Sequence, residues 1–342
     1  MMKNIILLII MLLIVGCVQK DMSLFSENVR RTEYDKIQKQ NLTGKKIIAN
    51  QIGLGNIEVI GDYLLFSLIK ADNKFGLFSK NGEELLSFGR QGYGPNDFIN
   101  NRLTGQKETD NAGNFYFWVN DVSNSKLKKI RLNESNDSIH FHVEKIIQTL
   151  PMSPNSFFIN DSLVLSETIE KGIPCVHKYN PKTNRINESI ELYRERVAHP
   201  FNFYKGIYRF ENESQTLYLG MHSINLINTL NINDGNRTSC FIGNSSNLNE
   251  IIDKETGIEK WTYYSDLRIK NETVYALYLN QNYKDSYEVP SSVEIHVIKD
   301  GNIKRVYYIE EYVLQIAIDE SDKYLYGLIG DSAVYRYSLP NI

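Results

Sequence analysis

One pattern recurs six times along this chain and limits what it can build: a polar turn of Asp, Asn, Gly or Glu, then a strand-like run of Tyr, Leu, Phe and Val. The copies are IGDYLLFSL (60–68), DNAGNFYFWV (110–119), NDSLVLSE (160–167), ENESQTLYLG (211–220), KNETVYALYL (270–279) and DESDKYLYGLI (319–329). Behind each comes an apolar stretch that turns back through polar residues, as in FGLFSKNGEELLSFG and EIHVIKDGNIKRVYYIE; the sixth is only AVYRYSLP. Lys80-Asn81-Gly82, Asn233-Asp234-Gly235 and Lys299-Asp300-Gly301 are hairpin signals, because glycine accepts the positive φ at which two strands reverse. Each unit therefore reads as four antiparallel strands: one entering, one after the turn, then a hairpin.

Four strands per unit, repeated every 40 to 50 residues or so, is the pattern of a β-propeller. The expected fold is all-β, a six-bladed propeller of four-stranded antiparallel blades. The 22 tyrosines and 15 phenylalanines suit strands, and 342 residues, 42 % of them hydrophobic, can bury a large core. Blade six lacks a fourth strand, whereas KKIIANQI (45–52) stands spare before the first repeat. That N-terminal strand is expected to complete the last blade and close the ring, which removes an unpaired edge.

Ahead of the repeats lies MMKNIILLIIMLLIVGC. Lys3 supplies a positive start, and the apolar run Ile5 to Val15 is short for a bilayer-spanning helix, so it reads as a cleaved export signal. Leu13-Ile14-Val15-Gly16-Cys17 resembles the lipobox of bacterial lipoproteins, which implies a diacylglycerol on the Cys17 sulfur. Buried acyl methylenes contribute about 0.8 kcal/mol each, enough with several chains for durable attachment. Three segments follow: a signal peptide (1–16), a lipid anchor and polar tether (17–44, with one helical turn expected around Glu33 to Gln38), and the propeller (45–342). The expected location is the cell envelope, at the outer membrane. Asp21 faintly resembles the acidic position of a surface-export signal, which leaves the membrane face open.

SFGRQGYGPNDF (87–98) concentrates glycines between blades one and two. A phosphate loop would need Lys-Ser or Lys-Thr after its last glycine and a helix behind, and Pro95-Asn96-Asp97-Phe98 stands there instead. No βαβ unit accommodates a dinucleotide. The glycines read as a tight crossing, with Phe98 wedged between blades. Gly89, Gly92, Gly94, Pro95, Asp97 and Phe98 are similar to the G-x-x-G-x-G-P-x-[DE]-F segment of TolB-like six-bladed propeller lipoproteins of Bacteroidetes. That resemblance implies an envelope propeller and no particular reaction.

The net charge of −3 and pI near 6.1 give no basic footprint for nucleic acid, and neither a nucleotide nor another cofactor is expected. His140 and His142 share a face of one outer strand and read as solvated rather than zinc-bound. Cys175 and Cys240 lie in apolar strands and read as buried free thiols. No H-E-x-x-H or G-x-S-x-G occurs, so no catalytic residue is assigned. An alternative resembles the metal-dependent lactonase propellers, with Glu58, Asn155 and Asp266 converging on the axis to hydrolyse a sugar-derived substrate.

A noncatalytic ligand site is favoured instead, on the face where the links between blades emerge. Arg90, Tyr93, Phe203, Tyr204, Lys205, Lys260, Trp261, Tyr263, Tyr264, Tyr283 and Tyr287 fall in those links and in one long loop of blade five. Aromatic faces with polar neighbours suit a glycan or a partner protein of the envelope.

Overall fold

Three short strands precede the first repeat: β1 (Val29–Thr32), β2 (Lys39–Leu42) and β3 (Gly44–Ile48). Blade 1 consists of β4 (Leu54–Ile60), β5 (Tyr63–Leu68), β6 (Asn73–Ser79) and β7 (Glu84–Arg90). Blade 2 has β8 (Asn101–Thr109), β9 (Phe115–Asp121), β10 (Lys126–Ser135) and β11 (Ser138–Gln148). Blade 3 has β12 (Ser156–Asn160), β13 (Leu163–Glu170), β14 (Ile173–Asn180) and β15 (Arg185–Glu191). Blade 4 has β16 (Gly206–Glu211), β17 (Thr216–Met221), β18 (Leu226–Asn231) and β19 (Arg237–Ile242). Blade 5 has β20 (Trp261–Lys270), β21 (Thr273–Asn282), β22 (Val293–Lys299) and β23 (Asn302–Ile309). Blade 6 has β24 (Val313–Ile318), β25 (Tyr324–Ile329) and β26 (Ala333–Ser338), with β3 as its fourth strand. The computed structural model describes residues 24–32, 34, 37–69, 71–135, 138–194, 203–242, 261–282 and 292–340, the side chains of Trp261 and Asn282 excepted.

The chain thus forms the expected six-bladed ring. Every repeated polar turn joins the first strand of a blade to its second, and the glycine hairpins join the third to the fourth. Gly82, Gly235 and Gly301 all take positive φ, at 94°, 73° and 68°. At Gly82 a side chain is excluded twice over, because an added Cβ would lie 2.0 Å from the Ile47 carbonyl oxygen. The hairpin of blade 1 therefore presses on the closing strand. That strand pairs antiparallel with β26, Ile48 opposite Val334 and Gly44 opposite Tyr337.

Six buried apolar clusters fill the six interfaces between neighbouring blades. A blade's middle strands are covered on both faces, which explains their unbroken apolar runs: β5 and β25 each bury four residues in succession. Outer strands have no such cover, and β15 is exposed over most of its length. Aromatic rings fill the wedge-shaped gaps, as where Trp118 of blade 2 stacks on Phe158 of blade 3 at 4.2 Å.

The segment before the ring differs from a polar tether over its described part. β1 pairs in parallel with β19 and β2 in parallel with β23, adding fifth, outermost strands to blades 4 and 5. Phe25 is fully buried in the cluster between blades 3 and 4, and Leu42 in that between blades 5 and 6. Of the expected helical turn, Glu33, Asp35 and Lys36 lie outside the described residues, and Gln38 leads directly into β2. VRRT and KQNL lack an apolar period because backbone bonds to an outer edge, with Leu42 alone of their side chains buried, hold them there. β1, β2 and β3 consequently form a belt on the outer edges of blades 4, 5 and 6 in turn.

Candidate functional site

A propeller of this connectivity has two unlike ends. At one, here the link end, the crossings between blades meet the loops joining second to third strands. At the other, the turn end, lie the six repeated turns and the hairpins.

The glycine stretch lies at the link end, and its amides are used internally. Gly94 N–H donates to the Asp97 carboxylate at 3.0 Å, Asp97 N–H to the Gly94 carbonyl at 3.1 Å, and Phe98 N–H to the Arg90 carbonyl at 2.9 Å. The Asp97 carboxylate occupies the space that side chains at Gly92 and Gly94 would need, 2.4 and 2.7 Å from their added Cβ atoms. Phe98 is completely buried and meets Phe75 edge-on at 5.0 Å. Beneath it Lys128, with no exposure, pairs with Asp121 at 3.1 Å and donates to the Asp97 carbonyl. Burial lowers the Lys128 ammonium's proton affinity, against the pull of Asp121. The stretch is a crossing locked from below.

Among the described residues, three of the aromatics anticipated around the link end, Phe203, Tyr204 and Tyr264, face inward. Tyr204 stacks on Tyr193 at 4.1 Å, Phe203 meets Tyr204 edge-on, and both are buried between blades 3 and 4. Tyr264 is fully buried, its hydroxyl donating to Asn225 at 3.1 Å. Tyr263 is half-buried, with its ring 6.2 Å from that of Tyr278. The wedge between blades claims Phe203, Tyr204 and Tyr264, which removes these three from the rim read from sequence. Arg90, Tyr93 and Lys205 are exposed, Tyr93 at 82 %. Trp261 opens β20 opposite Asn282; Lys260, Tyr283, Tyr287 and Cys17 lie outside the described residues.

The turn end holds a cavity of about 400 Å³ on the ring axis. Its walls are the last residues of the inner strands, among them Glu58, Gln106, Lys107, Arg209, Arg268 and Lys270. Five carboxylates and four cations line it. A charged network forms its floor. Arg268 pairs with Glu58 at 2.9 Å and with Asp266 at 3.0 Å, and Arg209 reaches the other oxygen of Asp266 at 3.1 Å. Arg209 also donates to the Leu267 carbonyl at 3.0 Å, and Arg268 to the Ile57 carbonyl at 2.8 Å. Burial, and after it the neighbouring Arg268, lower the proton affinity of the Arg209 guanidinium, opposed by Asp266 and Glu58. Around the mouth each blade's first turn carries an exposed carboxylate: Asp62, Asp110, Asp161, Glu213, Glu272 and Glu320. Hydrogen bonds from Asn114, assisted by Tyr116 and Ala112, pull the Asp110 carboxyl down to about 2.

This geometry answers the lactonase alternative. Glu58 and Asp266 do converge on the axis, but guanidinium groups hold the positions next to their oxygens that a metal would require. Asn155 turns away and donates to Glu167 at 2.6 Å. Among the described residues no group of three or more His, Cys, Asp or Glu is placed to hold a metal ion. His140 and His142 are exposed on β11, with Arg131 opposite His142. Cys175 and Cys240 are buried and unbridged, and burial raises both thiols, Cys240 to about 11.

No family model matches the chain, and no curated protein is similar to it in sequence. Solved structures are similar in fold. A "Putative exported protein" of Bacteroides fragilis shares 12 % identity at a TM-score of 0.54, over 92 % of this chain and 99 % of its own. A member of the DUF4221 family from Bacteroides vulgatus shares 11 % at 0.51, over 87 % and 97 %. At such identities the likeness is one of architecture: this chain is a six-bladed propeller whose fold is shared with proteins of Bacteroides.

Proposed function

We propose that the protein is a noncatalytic binding propeller of the cell envelope, held to a membrane through a lipid on Cys17, that takes a loop of a partner protein into its axial cavity. One observation carries this reading: a preformed hollow of about 400 Å³ whose floor charges are already matched by one another and by main-chain carbonyls. A rigid, satisfied floor suits recognition, since nothing in it must be reorganised when a ligand arrives. It offers neither a poised proton donor nor an open cation position. Of the six carboxylates around the mouth, Asp62, Asp161 and Glu320 pair with Lys80, Lys145 and Lys107, and the exposed Asp110, Glu213 and Glu272 suit a loop bearing lysine or arginine, steered over a Debye length of about 8 Å at physiological salt. A glycan is less well served in this cavity, because the aromatic residue in its described lining, Phe210, is buried. The name of one similar structure, the putative exported protein of Bacteroides fragilis, supports export, in line with the leader read from sequence.

The test is a comparison of proteins retained from solubilised envelope by wild type and by Glu213→Lys/Glu272→Lys. We expect the double variant to lose a partner that the link-end variant Tyr93→Ala/Lys205→Ala keeps, and the wild-type complex to weaken as salt is raised. The reverse pattern of loss would refute the reading.

A further inference from the structure

A second hollow, of about 410 Å³, opens at the link end between blades 4 and 5. A row of side chains across blade 5 builds one wall. Tyr264 of β20 stands opposite Tyr278 of β21, Tyr278 opposite Glu294 of β22, and Glu294 opposite Tyr308 of β23. Residues directly opposite in antiparallel strands share a face, so all four point toward blade 4, where Tyr264 and Tyr278 join the cluster between the two blades. Asn225, just before β18, and Ile242, the last residue of β19, supply the facing wall. The outer wall is the belt itself, through Tyr34 and Lys39. These groups are fixed among themselves. Glu294 accepts from the Tyr34 hydroxyl and from His296 Nε2, the latter at 3.0 Å. His296 is fully buried, with its ring 4.4 Å from that of Tyr278. Asn225 accepts from the Tyr264 hydroxyl at 3.1 Å and donates to the Ile242 carbonyl. Burial opposes ionisation of Glu294, but hydrogen bonds from His296, Tyr308 and Tyr34 outweigh it and bring the carboxyl down to about 2. The Lys39 ammonium stands 3.9 Å from the centre of the Tyr34 ring and 5.4 Å from that of Tyr308.

We propose that this hollow is a binding site for a neutral saccharide. Its volume falls in the range of about 300–1,000 Å³ usual for small-ligand sites. Among the described lining residues one carboxylate, Glu294, faces one ammonium, Lys39, so a ligand of either charge meets repulsion as well as attraction. A sugar hydroxyl meets neither penalty, because it donates to the carboxylate and accepts from the ammonium at once. Ser292 and the exposed Asn280 add further donors and acceptors around the opening. Tyr34 and Tyr308 are only half-buried, which leaves part of each ring for the C–H face of a pyranose. The hydrogen bonds already made by Tyr34 and Asn225 hold the walls in place, so little order is lost on binding. This site is separate from the axial cavity and does not depend on what that cavity takes.

Saturation-transfer NMR on the whole protein tests this with four neutral disaccharides, maltose, cellobiose, lactose and diacetylchitobiose, beside glucuronate and glucosamine as charged comparators. We expect transfer to at least one neutral disaccharide in preference to both charged sugars. Lys39→Ala and Glu294→Gln are each expected to weaken that binding about tenfold, the usual worth of a hydrogen bond to a charged group. Because Glu294 also braces Tyr34 and His296, Ser292→Arg serves as a second variant. It fills the opening from outside the buried network, and should abolish the transfer while melting with wild type. The axial variant Glu213→Lys/Glu272→Lys should keep the sugar even where it loses the protein partner, so the two sites fail separately. Transfer to none of the neutral disaccharides, a preference for either charged sugar, or binding undiminished in both Lys39→Ala and Ser292→Arg would overturn the proposal.

Discussion

Arg268 ties three blades together from the axis outward. Its side chain leaves β20 of blade 5, donates to the Ile316 carbonyl of blade 6, and reaches the Ile57 carbonyl and Glu58 of blade 1. A buried guanidinium so fully engaged fixes the channel, whereas an isolated one would be costly. Glu167 is the contrasting case. Burial raises its carboxyl above the ordinary 4.5 against a hydrogen bond from Asn155. Below that pH the group is protonated folded or unfolded and costs nothing. Above it the unfolded chain ionises first, so stability falls as pH rises until the folded pKa is passed. Glu167→Gln is therefore expected to be more stable than wild type at neutral pH and to flatten the decline above about pH 4.5, as read by thermal melts across pH. A variant that melts lower than wild type at neutral pH and keeps the decline would contradict this. At this scale the sequence was only partly legible. Glu58, Arg209 and Arg268 each stand three residues before the turn residue of their blade (Gly61, Asn212 and Asn271), a shared position that marks the axis. Tyr93 and Tyr264 look alike as letters, yet one is exposed and the other buried, because a ring in a link can serve solvent or wedge equally well.

At the scale of elements, the blades were legible because turn chemistry and apolar runs both repeat. The hairpin glycines fall where the sequence put them, and the spare strand closes blade 6 as its position required. β1 and β2 escaped for a physical reason: an outermost parallel strand needs only backbone pairing, so VRRT and KQNL carry no periodic signature. The belt is nonetheless anchored by side chains at both ends, Phe25 and Leu42. Removing residues 1–23 is expected to leave the melting temperature unchanged, whereas Phe25→Ala should cost about 3–5 kcal/mol, the usual toll of emptying a phenylalanine site. Removal through Ile48 should go further, opening the ring and exposing the edge of β26 to association between copies. A monomer of unchanged stability after that deletion would show that the closing strand does not close.

For the whole molecule, the two ends divide the labour. The link end spends Phe98, Phe203, Tyr204 and its glycines on joining blades. The turn end keeps its polar groups outward, around a hollow with a settled floor. Hydrogen exchange of the protein, free and with the partner captured from envelope, separates these roles directly. The expected result is slowed exchange at 105–109, 211–213 and 269–272, the walls of the axial mouth, with 91–97 and 203–205 unchanged. Protection confined to 91–97 and 203–205 would contradict the account and return the binding site to the link end.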